Sequence, residues 1–391
     1  MDFQVWYFVA LPALFLAGWI ARGYEARVRA ADQGGAPKAL FRGLNFLLND
    51  QPDRAIDAFI EVAKLDPETI ELHYALGNLF RRRGEFDRAV RVHNYLLGRA
   101  DLPAAERAKA LAELAQDYLK GGMLDRAEAG FQQLVEDPVH RFDALRALLR
   151  IHATGRDWIR AIESARQLER EGGETHRVAI AHFHCELAER AVAAGDLAAA
   201  HRLLEEALVA DRGSVRASIL AGDIAQREGN SAAAIEHWLR IASDAPEYLA
   251  LIAERLSAAL DGAGRRSEAL NLLRRVLLDH PSIDLLDIAV RRTQEWEGNA
   301  AGEAVLREEL NRHPSLLGFE RLLAMRAASA PGKDRELELL RGLIQAQARN
   351  LSRYRCGTCG FRTRSFPWQC PGCLSWDSYS PKRIEELESA A

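Results

Sequence analysis

The chain has 391 residues, of which 48% are hydrophobic and 28% charged, with a formal net charge of −4. That length suits roughly two or three domains, and the composition is that of a folded protein. So small a net charge excludes a chain that coats nucleic acid over its whole surface, because such proteins carry a dominant cationic face.

The first element in chain order is apolar. Phe3 to Ala21, FQVWYFVALPALFLAGWIA, contains no charged side chain. As a helix this run spans roughly 28 Å, close to the ~30 Å hydrocarbon core of a bilayer. Trp6, Tyr7 and Trp19 lie toward its two ends, where amphipathic rings settle at the interface. A kink at Pro12 is tolerable in lipid. A cleaved signal peptide needs a basic start and a shorter apolar stretch, whereas Met1-Asp2-Phe3-Gln4 holds no Lys or Arg. Residues 1–22 therefore predict a single transmembrane helix. Arg22, Arg27 and Arg29 follow the span and no basic residue precedes it, so the positive-inside rule puts the bulk of the chain on the cytoplasmic side. Residues 23–38, with Gly34, Gly35 and Pro37, read as a linker.

From residue 39 to 348 the chain repeats itself at about 34 residues. Gly43 recurs as Gly77 and Ala55 as Ala89. The stretch LHYALGNLFRRRGEFDRAVRVHNYLL, Leu72 to Leu97, carries Leu76-Gly77, Phe80, Gly84, Phe86, Ala89 and Leu96, which is the tetratricopeptide pattern. Related alanines stand at Ala127, Ala161, Ala200, Ala234 and Ala269, with separations of 34, 39, 34 and 35. Each unit predicts two antiparallel helices. Small residues such as Gly77 and Ala89 mark where the helices cross, and Phe80 and Leu96 fill the layer between units. Gly84 and Gly122 suit left-handed turns between helices. Pro67, Pro246 and Pro281 mark ends of second helices. His280-Pro281-Ser282 and His313-Pro314-Ser315 recur 33 residues apart and mark a degenerate unit. Leu316 to Ala348 predicts a last helical pair turning at Pro331-Gly332. The pattern amounts to about eight or nine helical hairpins stacked as a solenoid, whose concave face typically binds protein.

Residues 349–383 form a separate module. Four of the five cysteines fall there, in YRCGTCGFRTRSFPWQCPGCLSWDSY, as two C-x2-C knuckles at Cys356, Cys359, Cys370 and Cys373. Such knuckles arrange four thiolates tetrahedrally round one ion, and the clustering fits metal ligation in a reducing compartment better than a disulfide framework. The same set holds zinc in ribbons or iron in rubredoxins. Zinc is favoured because so short a hairpin leaves little to shield an electron-transfer centre, and iron remains the alternative. Four thiolates leave no open coordination position for hydrolysis. Arg349, Arg353, Arg355, Arg362, Arg364, Lys382 and Arg383 face one acid, Asp377, and six aromatics (Tyr354, Phe361, Phe366, Trp368, Trp376, Tyr379) accompany them. This excess either balances the thiolates or forms a contact surface. Residues 384–391 read as a tail.

His182, His184 and Cys185 lie together in AHFHCELAER, but helical geometry sends i and i+2 to different sides. They read as packing residues of a first helix. No phosphate-binding glycine loop, HExxH or GxSxG element occurs. No catalytic or cofactor-binding residue is expected, and the chain reads as a non-enzyme.

The order of anchor, tetratricopeptide array and tetra-cysteine knuckle resembles the lipopolysaccharide assembly protein B family of Gram-negative inner membranes. The most specific stretches are GLNFLLNDQPDRAIDAF, LGNLFRRRGEFDRAVRVH, RVAIAHFHCELA and YRCGTCGF…WQCPGC. The resemblance implies a rubredoxin-like last module that docks on the repeats. It also implies an adaptor at the cell inner membrane that regulates lipopolysaccharide synthesis. Such adaptors promote degradation of the UDP-3-O-acyl-N-acetylglucosamine deacetylase that commits carbon to lipid A. The implied partners are a membrane AAA+ zinc protease, that deacetylase, an opposing sensor protein and lipopolysaccharide-synthesis enzymes, with no nucleic acid. Two readings compete with it: a rubredoxin-type electron-transfer protein, and a zinc-ribbon nucleic-acid binder using the basic C-terminal patch. The fold class is thus all-α, a tetratricopeptide-repeat superhelical solenoid with an N-terminal transmembrane helix and a small C-terminal rubredoxin-like zinc-ribbon knuckle.

Overall fold

The structure is a computed structural model that describes residues 22, 41–46, 49, 51–65, 69–172, 175–329, 335–349 and 351–389. The apolar run Phe3 to Ala21, the linker, Pro67 and the turn at Pro331-Gly332 lie outside these. Among the described residues no helix is long and apolar enough to cross a membrane.

The chain is mostly helical and forms two compact units, Met1–Glu174 and Thr175–Ala391. In the first, residues 41–46 and α1 (Pro52–Leu65) precede three helical hairpins: α2 (Ile70–Arg82) with α3 (Phe86–Leu97), α4 (Ala104–Lys120) with α5 (Leu124–Leu134), and α6 (Arg141–Thr154) with α7 (Trp158–Arg170). In the second, α8 (Arg177–Ala193) pairs with α9 (Leu197–Ala210) and α10 (Val215–Arg227) with α11 (Ser231–Asp244). A 3₁₀ turn, Pro246–Leu251, leads to α12 (Ala253–Gly262) and α13 (Arg266–Asp279). Then come α14 (Ile283–Glu297) with α15 (Asn299–Arg312), and α16 (Leu316–Ser329) with α17 (Arg335–Ala348). A two-stranded hairpin, β1 (Tyr354–Arg355) and β2 (Arg362–Thr363), and a short helix α18 (Ile384–Ser389) complete it.

The periodic alanines explain the pairing. Ala55, Ala89, Ala127, Ala161, Ala200 and Ala234 are wholly buried, and Ala269 nearly so. Each lies on the second helix of its pair. One turn further on, the second helix presents a large ring: Phe59, His93 and Trp238. The first helix opposite then carries glycine, and a Cβ added at Gly43, Gly77 or Gly222 would overlap that ring. Ring and glycine thus conserve the volume of the crossing, as close packing demands. Gly84 and Gly122 adopt φ of 77° and 75° at the hairpin turns, where a Cβ would be strained. Side chains of Asp157, Asp196, Ser214, Asn230 and Ser282 accept a backbone N–H at the starts of α7, α9, α10, α11 and α14.

The crossing of α2 and α3 in the first unit is polar. His93 Nδ1 lies 2.5 Å from Asp117 Oδ2, and both side chains are fully buried. Arg81 donates to Asp117 Oδ1 at 2.9 Å and also pairs with Glu113, tying α2 and α3 to α4. His93 cannot move away from Gly77 without breaking this network.

Candidate metal centre and its seat on the repeats

The two cysteine knuckles have the same backbone logic. The Cys356 N–H donates to Phe361 O at 2.9 Å, and the Cys370 N–H donates to Ser375 O at 2.9 Å. Gly360 N–H returns to Cys356 O at 3.0 Å, and Leu374 N–H to Cys370 O at 2.9 Å. Both knuckles turn through a left-handed residue at the same position, Gly360 with φ 76° and Leu374 with φ 62°. The first knuckle has the residue this conformation prefers, and the second holds a leucine there at a local cost of roughly 1–2 kcal/mol. The antiparallel pairs Tyr354↔Thr363 and Arg355↔Arg362, with bridges Cys356↔Tyr379 and Gln369↔Trp376, clamp the knuckles together.

The four thiol sulfurs lie within 4.8 Å of one another. Cys356 Sγ is 3.8 Å from Cys373 Sγ, and Cys359 Sγ is 3.6 Å from Cys370 Sγ. The Gly372 N–H donates to Cys370 Sγ at 3.4 Å, Tyr379 Oη lies 3.6 Å from the same sulfur, and Ser375 Oγ lies 3.3 Å from Cys373 Sγ. Burial pushes the Cys356 thiol up, but hydrogen bonding by Ser378 and the backbone N–H groups of Cys359 and Thr358 outweighs it and holds the thiol at about 6. At Cys359 the Phe361 N–H favours the thiolate, yet desolvation and the three neighbouring sulfurs push it up to about 12. Hydrogen bonding thus favours the thiolate at Cys356, and the neighbouring sulfurs disfavour it at Cys359. The set can hold one metal ion, and it fits a soft, four-coordinate one.

The module sits on the second unit. Trp376 stacks on His182 of α8 at 4.5 Å between centroids and meets Phe183 edge-on at 6.0 Å. His182 Nε2 pairs with Asp377 Oδ1 at 2.9 Å. The guanidinium of Arg216, from α10, lies 5.8 Å from the Trp376 ring. Trp368 stacks on Tyr248 of the 3₁₀ turn at 6.0 Å. Farther along, Asp284 of α14 accepts two bonds from Arg383, each of 2.8 Å, and one from the Tyr354 hydroxyl at 2.7 Å. Arg383 also lies over the Tyr354 ring at 4.1 Å.

The short helix α18 supplies a third hold. The Ile283 N–H, first in α14, donates to Glu386 Oε1 at 2.9 Å. Glu385 accepts from Ser315 Oγ at 2.9 Å, from the Leu316 N–H, and from the Leu317 N–H at 3.2 Å. The two His-Pro-Ser segments therefore present two helix N-termini side by side, and adjacent carboxylates cap them. An anionic cap there complements both the open N–H groups and the helix dipole.

The four cysteines converge as their spacing predicts. Of the six aromatics, Tyr354 and Tyr379 form the module's own core, while Trp368 and Trp376 face the repeats. Sequence reasoning missed His182. It assigned the side chain to packing, and it does pack, but against the metal module. The juxtaposition of a buried histidine with a tryptophan-aspartate pair far along the chain leaves no periodic signal. Cys185 beside it is wholly buried, and burial pushes its thiol up to about 12, so it is no nucleophile.

Fold and site together define a helical-repeat scaffold carrying a rubredoxin-like metal module. The profile described as a tetratricopeptide repeat matches residues 42–108 and 185–248, and that described as a rubredoxin metal binding domain matches residues 354–381. The chain is 35% identical over 379 residues to the lipopolysaccharide assembly protein B of Escherichia coli (strain K12), spanning 96% of this chain and 97% of that one. It is 28% identical over 395 residues to the protein of that name from Haemophilus influenzae, spanning 97% and 98%. The chain belongs to the lipopolysaccharide assembly protein B family, whose members are assembly proteins and not enzymes. Among solved structures it is similar to the TPR2AB domain of yeast Sti1 in its pHSP90 complex, with TM-score 0.33 and 16% identity, over 69% of this chain and 95% of that one.

Proposed function

We propose that this chain is a membrane-tethered adaptor for lipopolysaccharide assembly. In this reading Phe3 to Ala21 is a single span of the inner membrane, and the repeats and metal module work on its cytoplasmic side. The solenoid holds protein clients, and the anchor raises their effective concentration at the membrane. The client is the UDP-3-O-acyl-N-acetylglucosamine deacetylase, presented to a membrane AAA+ protease, with lipopolysaccharide-synthesis enzymes and an inner-membrane sensor as further partners. The observation that carries the reading is identity of 35% to an assembly protein through 96% of the chain, so that repeats and module come as one unit. Depleting the protein should lengthen the half-life of the deacetylase, and co-purification from membranes should recover the protease. An unchanged deacetylase half-life would overturn the adaptor role.

In the same reading Cys356, Cys359, Cys370 and Cys373 ligate one structural metal ion, zinc in preference to iron. The ion would close the module and, with no free coordination position, take no part in a reaction. The metal content and absorption spectrum of purified protein decide its identity, and a red, iron-containing product would sink the zinc assignment.

A further inference from the structure

We propose that a cleft between the last repeat hairpin and the metal module is a binding site for a phosphorylated ligand. The site stands apart from the adaptor reading and needs none of its partners. The cleft encloses about 630 Å³ and is walled by α14, α16 and α17 on one side and by Arg349, Ser352, Arg353, Arg364 and Arg383 on the other.

The charges in it do not balance. Three carboxylates line the cleft, and each already has an arginine: Asp284 holds Arg383, Asp287 holds Arg321 at 3.2 Å, and Glu320 holds Arg341 at 3.3 Å. Arg349, Arg353 and Arg364 also line it, and no carboxylate pairs with them among the described residues. None of these three is bound to the thiol cluster, whose sulfurs are approached by the Ser375, Ser378 and Tyr379 hydroxyls and by backbone N–H groups. The Arg353 Nε is moreover buried with no hydrogen-bond partner. A buried donor left unmade is costly.

The arrangement is held in place before any ligand arrives. Arg383, fixed by Asp284, donates Nη1 to Ser352 O at 2.6 Å and to Arg364 O at 3.0 Å, and Ile384 N–H donates to Arg353 O at 2.8 Å. The backbone carrying Arg353 and Arg364 is thereby pinned, so less freedom is lost on binding. Guanidinium forks match phosphate oxygens in pairs. Three unmatched cations exceed the charge of one carboxylate and suit a phosphate dianion or a diphosphate. No aromatic side chain lines the cleft to stack a base, which argues against nucleic acid. A cavity of this size takes a small molecule or a lipid headgroup.

The test uses the full chain in detergent and two soluble probes, inorganic pyrophosphate and dihexanoyl phosphatidylglycerol, titrated by calorimetry. Saturable binding of either probe is expected, weakened about tenfold or more by Arg353→Gln and by the double variant Arg349→Gln/Arg364→Gln, as loss of charge-assisted bonds requires. The double variant alters two exposed side chains without partners, and unchanged metal content and tryptophan fluorescence certify its fold. Binding of pyrophosphate alone assigns a soluble phosphorylated ligand, and binding of the lipid alone or of both assigns a headgroup or the shared phosphoryl group. Failure of both probes to bind, or equal affinity in the double variant, overturns the proposal.

Discussion

Arg383 clasps Asp284 across 99 residues, with Nε on Oδ2 and Nη2 on Oδ1 at 2.8 Å each. The pair fastens the metal module to the first turn of α14, and Arg383 at the same time covers Tyr354 and donates to two backbone carbonyls. Lysine cannot reproduce this planar fork. Arg383→Lys should weaken docking by roughly 2–3 kcal/mol. Asp284→Asn should do similar harm, and the two together should cost less than their sum. Chemical denaturation followed by tryptophan fluorescence measures this, and full additivity would mean the residues act independently.

Glu386 sets a pH dependence. Burial raises its carboxyl to about 6, although the N–H groups of Arg383 and Ile283 oppose the rise. A carboxyl whose folded pKa lies above its unfolded one takes up a proton on folding between the two. Its share of stability is therefore greatest below the unfolded pKa and declines as pH rises through about 6. The change is on the order of 1–2 kcal/mol. The difference in docking stability between the native chain and Glu386→Gln, taken at pH 4.5 and at pH 7, isolates this group from the pH dependence of metal binding. A difference that does not vary with pH would refute the assignment.

Removing a ligand should undo the module alone. Cys356→Ser, or a strong chelator, takes away binding energy of roughly 10 kcal/mol or more in small metal-folded modules. Trp368 and Trp376 should then leave the repeats, with a red-shifted emission, while the helical signal of the repeats persists. If the chain is the membrane-tethered adaptor proposed above, the variant should stay in the membrane and lose its regulatory effect on the deacetylase. Full regulation by Cys356→Ser would separate the module from the function.

The second knuckle can be improved. Leu374 is left-handed where its counterpart is Gly360, and its side chain is 43% exposed. Leu374→Gly should stabilise the module by up to about 1 kcal/mol, the relief of left-handed strain less the greater freedom of glycine when unfolded. Slower release of the metal to a chelator is the readout.

Gly77→Ala should be far costlier than its size suggests. The added methyl would overlap His93, which Asp117 holds from the other side. A loss of roughly 2–4 kcal/mol is expected, because the polar network must break or the helices must part. Thermal unfolding of the variant tests it. Gly77→Ala with His93→Ala should recover part of the loss.

The repeats were legible because their grammar is local and recurs. A residue such as Ala89 or Gly77 announces its role by reappearing at a fixed interval, and the four cysteines do so by their spacing. The seat of the module was not legible, because it joins residues that never recur. His182 meets Trp376 and Asp377, and Asp284 meets Arg383, each across a long stretch of chain with no periodic mark. The two His-Pro-Ser segments read as punctuation between helices. Only in three dimensions do they become adjacent sockets, and Ile384 to Ser389, which looks like any acidic tail, becomes the plug.

The caps on α14 and α16 also impose an order in time. Glu385 and Glu386 leave the ribosome after every helix they secure, and the Ser315 hydroxyl and the Ile283 N–H must wait for them. During synthesis the far end of the repeat array is complete in sequence yet still unlatched. A product truncated before residue 385 would lack the carboxylates that close that end.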